Sequence, residues 1–122
     1  QKYHSRKKIL GVCLGQQAIG DFFGGKLKNL NEVLHGVQTE ISKLNEDSLL
    51  KGLPQKFNVG RYHSWVIEKE SLPQELIVTS EDINGEIMSI AHKSLPIKGV
   101  QFHPESIMTD FGIKIIENFL KI

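Results

Sequence analysis

Five residues, Gly11-Val-Cys-Leu-Gly15, join the short apolar run Lys8 to Val12 to a segment in which Leu14, Ala18, Ile19, Phe22 and Phe23 recur at i, i+4, i+5, i+8 and i+9. An extended run that must become a helix at once, with glycine on both sides of the change, reads as strand, sharp turn, helix. The side chain at such a turn is held above the end of a sheet. Here it is Cys13, the only cysteine of the chain. On this motif alone it is either a small buried hydrophobe, the default for a lone cysteine, or a nucleophile. In the second case the positive end of the following helix favours thiolate and lowers the thiol pKa, and the Leu14 backbone N–H is placed to donate to an oxyanion.

Gly24-Gly25 ends that helix, and Lys26-Leu27-Lys28 reads as a strand. Val33, His35, Val37, Thr39 and Ile41 alternate at period two, a strand with Gly36 as a possible bulge. Asn45 to Leu53 reads as a loop with a short helical turn. Phe57, Val59 and Arg61 lead into Tyr62-His63-Ser64-Trp65, and Val66-Ile67 is extended. Leu76 to Thr79, Ile87 to His92 and Ile97 to Phe102 are further strand candidates, and Asn84-Gly85 predicts a hairpin between the first two. A closing helix capped by Thr109 or Asp110 carries Phe111, Ile115, Ile116, Phe119 and Ile122 at helical spacing, a core face. Strand-helix, several strands, then helix implies an α/β sandwich with a mixed sheet.

The charge balance, 15 basic against 14 acidic residues for a net +1, gives no electrostatic reason to expect a nucleic-acid or anionic-membrane partner. One cysteine and no zinc-finger spacing predict a reduced, metal-free, cytoplasmic protein. The basic start followed by Ile9 to Leu14 mimics a signal peptide but is too short for one, and no membrane-length apolar run occurs. The chain begins at Gln1, not methionine, which suggests an internal fragment or processed product. No phosphate-cradling glycine loop is present, and no cofactor is expected.

In Gly99-Val-Gln-Phe-His-Pro-Glu105, a buried strand ends in His103 and Glu105 with proline between them. Proline fixes its own dihedral and holds the residue before it extended, so the two side chains project to one side and the carboxylate can orient the imidazole. By role this supplies base and orienter for Cys13. His63 and His35 read more readily as hydrogen-bonded structural residues than as functional ones, and His4 and His92 have no supporting neighbours.

The chain resembles class I glutamine amidotransferase domains nearly end to end, through "GVCLGQQ" at Gly11 to Gln17, "RYHSW" at Arg61 to Trp65 and above all "GVQFHPES" at Gly99 to Ser106. Within the family it is similar to the glutaminase subunits of anthranilate synthase and aminodeoxychorismate synthase, with "LHG" at Leu34 to Gly36 and "HPESIMTDFG" as further pointers. The resemblance implies a flavodoxin-like three-layer α/β sandwich with a mixed sheet. Residues 1–122 would then be the C-terminal portion of a single domain, truncated at the N-terminus. It implies that Cys13 attacks the side-chain amide of L-glutamine to form a thioester. His103 would protonate the departing ammonia and then activate water, and Glu105 would hold its ring. It further implies substrate contacts from Gln17 and from the main chain of Ser64 and Trp65, an oxyanion donor at Leu14, and a chorismate-binding synthase subunit, component I, as ammonia acceptor.

Position 16 carries Gln where many relatives carry His or Met; lying outside the triad, it is expected to matter little. Family domains begin with further sheet and a glycine-rich loop that gives a second oxyanion donor, and neither precedes Gln1. Losing one such donor costs on the order of a hundredfold in rate, so little activity is expected of this chain alone. A sheet edge left open would promote self-association. The competing readings are a glutaminase serving another ammonia-using synthase, a cysteine peptidase or chaperone-like relative, and a non-catalytic interaction module.

Overall fold

The computed structural model describes residues 8–30, 36–62 and 65–122. The predicted strand residues Val33 to His35, together with His63 and Ser64, lie outside the described residues. Strands β1 (Ile9–Val12), β2 (Leu27–Asn29), β3 (Val37–Lys43), β4 (Lys56–Arg61), β5 (Trp65–Ile67), β6 (Leu76–Asp82), β7 (Ile87–His92) and β8 (Ile97–Val100) accompany helices α1 (Leu14–Phe22) and α2 (Gly112–Leu120). A 3-10 turn at Ser48–Leu50 is the helical turn expected in the loop after β3, and Asp47 caps it by accepting from the Leu49 N–H.

Six strands form one mixed sheet in the order β1-β8-β7-β6-β3-β4, and β2 and β5 pair separately. The pairing of β1 with β8 is parallel, with Gly11 opposite Gly99 and Val12 opposite Val100, whereas the other pairs are antiparallel. Because β1 and β8 run together, the turn after Val12 and the segment after Val100 emerge side by side at the carboxyl ends of two neighbouring strands. Ligand crevices of α/β sheets form at such ends. The outer edge of β1 is unpaired among the described residues.

Two apolar clusters hold the layers together. One gathers Ile41, Leu50, Phe57, Val59, Met88, Val100 and Phe102 with Ile115 and Phe119 of α2; the other gathers Ile67, Leu76, Val78, Ile87 and Ile90 with Ile19 and Phe23 at α1. The β6–β7 hairpin forms as Asn84-Gly85 predicts, with Gly85 at φ 81°. Its turn is held by Asp82, which accepts from the Asn84 and Glu86 N–H groups through one oxygen and from Arg61 through the other, at 2.8 Å. That ion pair is almost fully buried and ties the end of β4 to the hairpin.

The predicted helix faces are corrected in part: Ile19, Phe23, Ile115 and Phe119 pack on the core as expected, and other positions do not. In α1 the inward residues are Gln16, Gln17 and Gly20, while Leu14 and Phe22 are 75% and 60% exposed. The helix packs through its smallest side: a Cβ on Gly20 would lie 2.7 Å from Ile67 Cδ1. The helix ends as its glycines predict, with Gly24 at φ 100° and the Gly24 and Gly25 N–H groups donating to Asp21 and Gly20 carbonyls. In α2 the buried positions are Gly112, Ile115 and Asn118, whose amide donates to the Leu49 and Lys51 carbonyls, and Phe111 and Ile116 are exposed. Neither Thr109 nor Asp110 caps it, because both side chains bond to other segments; left-handed Phe111 precedes the helix. Gly36 is not a bulge within a strand but a left-handed residue before β3, at φ 66°. No described helix is long and apolar enough to cross a membrane.

Candidate active site

Cys13 sits between β1 and α1 at φ 56°, ψ −104°. A non-glycine residue at such dihedrals costs on the order of 1–3 kcal/mol and persists only where its surroundings fix it. They do so here: the Cys13 N–H donates to the Val100 carbonyl at 2.8 Å, and its carbonyl accepts from the Gln16 and Gln17 N–H groups at 3.1 and 3.2 Å. Gly11 permits the crossing, since a Cβ there would stand 2.6 Å from the backbone carbonyl of Gly15. Gly15 is different, for a Cβ on it would meet nothing within 4 Å.

Burial pushes the Cys13 thiol above its ordinary pKa; hydrogen bonds from the Leu14 N–H and the Gln101 amide pull the other way, and the charge of Glu105 adds to the rise. The lowered pKa expected from the helix terminus is therefore corrected, because desolvation penalises the thiolate more than these donors favour it. The Gln101 Nε2 lies 3.8 Å from Cys13 Sγ.

His103 follows β8 and is half-buried, with its Nδ1 2.7 Å from Oε2 of the exposed Glu105. Desolvation raises the Glu105 carboxyl, but its own backbone N–H and the hydrogen bond and charge of His103 outweigh this and hold it below the usual carboxylate range. The backbone of His103 is fixed on both sides: its N–H donates to Gly60, and its carbonyl accepts from the Thr109 hydroxyl. The ring of Tyr62 meets the imidazole edge to face at 5.1 Å between centroids. The Tyr62 hydroxyl is 3.2 Å from Ser106 Oγ. A Cβ on Gly112 would overlap the Pro104 carbonyl, so glycine at the start of α2 lets the His-Pro-Glu loop pack against it.

A cavity of ≈ 390 Å³ opens between the two motifs, lined by Val12, Cys13, Leu14, Gln17, Tyr62, Trp65 and His103. The fold thus gathers Cys13, Leu14, Gln17, Trp65 and His103 around one space, with Glu105 paired to His103. Gln17 is buried and its Nε2 donates to the Trp65 carbonyl at 2.9 Å, joining the helix after the cysteine to β5. Ser64 lies outside the described residues. Among the described residues no group of three or more His, Cys, Asp or Glu is gathered as a metal site.

Sequence reasoning gave no part in the site to Tyr62, Thr109, Gln101 or Gln16. Gln101 carried a signal, being a polar residue set between the apolar Val100 and Phe102 at the end of a predicted strand, and it is fully buried. Position 16, expected to matter little, is also fully buried, and its Nε2 reaches the Gln101 Oε1 at 3.4 Å.

The model of the family "Glutamine amidotransferase class-I" matches residues 1–122. The chain is 47% identical over 112 residues to an Azospirillum brasilense protein named "Anthranilate synthase component 2", which covers 92% of this chain and 57% of that protein. It is 44% identical over 118 residues to an Escherichia coli protein named "Aminodeoxychorismate synthase component 2", which covers 97% of this chain and 63% of that one. Among solved structures it is similar to a Thermoplasma acidophilum protein named "putative gmp synthase subunit a protein", with a TM-score of 0.88 at 29% identity over 98% of this chain and 58% of that one. The chain therefore spans about six-tenths of the length of these relatives. With a family model matched from end to end and the α/β fold of a solved relative, the chain belongs to the class I glutamine amidotransferases.

Proposed function

We propose that this chain carries the nucleophile, base and orienter of a glutaminase that hydrolyses L-glutamine and supplies ammonia to a chorismate-utilising synthase, as anthranilate synthase component II. The observation that carries the reading is that Cys13, His103 and Gln17 line one cavity while His103 is paired through Nδ1 with Glu105. In this reading His103 takes the thiol proton and the Cys13 thiolate attacks the amide carbon of glutamine. The carbon–nitrogen bond breaks as His103 returns the proton to departing ammonia. Water, deprotonated by His103, then cleaves the thioester to glutamate and regenerates the thiol. The Leu14 N–H, already at the sulfur, is suited to the developing oxyanion. Gln17, Trp65 and, in the expectation from sequence, Ser64 would hold the amino-acid end.

Relatives named as component 2 of anthranilate synthase and of aminodeoxychorismate synthase support a chorismate-binding component I as the partner. The second name is the reason to keep aminodeoxychorismate synthesis as the alternative destination. Incubation with a chloroketone analogue of glutamine, followed by mass spectrometry, should place one adduct on Cys13 and none in Cys13→Ser. An unlabelled Cys13 in the intact domain would sink the reading. Adding each candidate component I with chorismate and glutamine, and identifying the aminated product, decides between the two destinations. Self-association along the β1 edge belongs to the same proposal, and a monodisperse monomer in sedimentation would remove it.

A further inference from the structure

Two glutamines that the scheme above does not use form a chain of side-chain contacts that ends at the Cys13 sulfur. Gln101, immediately after β8, has its backbone N–H fixed to the Met88 carbonyl at 2.8 Å, and its side chain is fully buried. Gln16, on α1, lies across β8. It can do so because residue 99 is glycine: a Cβ there would stand 2.9 and 3.1 Å from Gln16 Cγ and Cβ. Gln16 Nε2 then donates to Gln101 Oε1 at 3.4 Å, and Gln101 Nε2 donates to Cys13 Sγ at 3.8 Å. The Gln16 Oε1 is itself buried and has no hydrogen-bond partner among the described residues.

An amide has one donor end and one acceptor end, and the two have opposite effects on a thiolate. With Oε1 held by Gln16, Gln101 must present N–H to the sulfur. Turned over, it would set carbonyl lone pairs against the developing charge. We infer that Gln101 is a catalytic residue that steadies the Cys13 thiolate through its side-chain N–H, and that Gln16 is the positioning residue that fixes which end of the amide faces the sulfur. The inference rests on the reading of Cys13 as nucleophile.

The sulfur carries negative charge twice in that reaction, once when His103 has taken its proton and again when water breaks the carbon–sulfur bond and the thiolate leaves. Between these events it is a neutral thioester sulfur. A donor at the sulfur favours the thiolate over both thiol and thioester, so it assists removal of the thiol proton before attack and departure of the thiolate after it. Burial opposes the charge, and the Leu14 N–H and the Gln101 amide are the groups that offset it. The titratable groups that face the sulfur among the described residues are His103 and Tyr62, which line its cavity, and Glu105, whose charge disfavours the thiolate.

The test is the pH dependence of Cys13 alkylation by iodoacetamide, followed by mass spectrometry on the full chain. Gln101→Leu should slow alkylation at neutral pH about tenfold and move the midpoint about one unit to higher pH, as loss of a hydrogen bond to a charged group requires. Gln16→Leu should move it in the same direction by less, since the donor remains but its orientation is free. Circular dichroism and thermal melting establish folding. If Gln101→Leu does not fold, Gln101→Met keeps the volume and carries the same readout. A profile for the folded Gln101 variant that overlays the wild type overturns the inference, and an unmoved Gln16→Leu profile overturns the positioning role. A Cys13 that gives these shifts yet is never labelled by the glutamine chloroketone supports the role of Gln101 at the sulfur and removes the glutaminase reading instead.

Discussion

The hydroxyl of Thr109 donates to the His103 carbonyl at 2.7 Å and accepts from the Gly60 N–H at 2.9 Å, so one side chain joins the loop carrying His103 to the end of β4. Asp110 repeats the join one residue on, exchanging bonds with the backbone of Asn58. These two residues hold His103 against Tyr62 instead of capping α2.

Thr109→Val keeps the shape and removes the hydroxyl, leaving a buried N–H and a carbonyl each without that partner. The expected loss is about 1–3 kcal/mol in urea unfolding, the penalty for leaving a buried polar group without its partner. Thr109→Ser should recover most of it. A valine variant as stable as the wild type would show that the clamp adds nothing.

The two glycines that flank the elbow should respond in opposite ways to the same methyl group. Gly11→Ala places a Cβ 2.6 Å from the Gly15 backbone and 2.7 Å from Ile19 Cδ1, and backbone cannot yield as a side-chain end does. Overpacking of this kind costs about 1–3 kcal/mol. Gly15→Ala meets open space at a helical position and should stabilise by up to about 0.5–1 kcal/mol. Equal effects in thermal melting would contradict the geometry.

Sequence made the elbow legible because two different periodicities meet at Cys13 with glycines on either side, and made the His103–Glu105 pair legible because proline restricts the backbone between them. Rotation of the helices was not legible. Periodicity reports that an apolar stripe exists, but Gly20, which lets α1 approach Ile67, decides which side faces inward, and that side carries Gln16 and Gln17. For the same reason Gln16 could not be connected to Gln101: the register of β1 on β8 and the missing side chain of Gly99 bring them together, and both are tertiary facts. Thr109 and Asp110 carry the composition of helix caps, and only the approach of β4 gives them other partners.

Glu105→Gln should separate the reactivity of the thiol from turnover. In the folded chain the Glu105 carboxyl is held below its ordinary value, desolvation being outweighed by its own N–H and by the hydrogen bond and charge of His103. It therefore binds a proton less readily than in the unfolded chain. Its pairing stabilises the fold above the ordinary carboxylate range, and this contribution is lost as pH falls through the lower folded value. Glu105 is 65% exposed, so water screens the pair and the contribution is under about 1 kcal/mol. The difference in melting temperature between wild type and Glu105→Gln should be small at neutral pH and close in acid; a gap that widens on acidification would contradict the pairing. Removing the charge also lifts its upward push on the Cys13 thiol, so iodoacetamide should alkylate Cys13 slightly faster at neutral pH in the variant. If Glu105 orients the imidazole as proposed, ammonia release from glutamine by the protein with the proposed synthase should fall in the same variant. A fall in both rates would instead mean that the substitution disturbs the sulfur's surroundings.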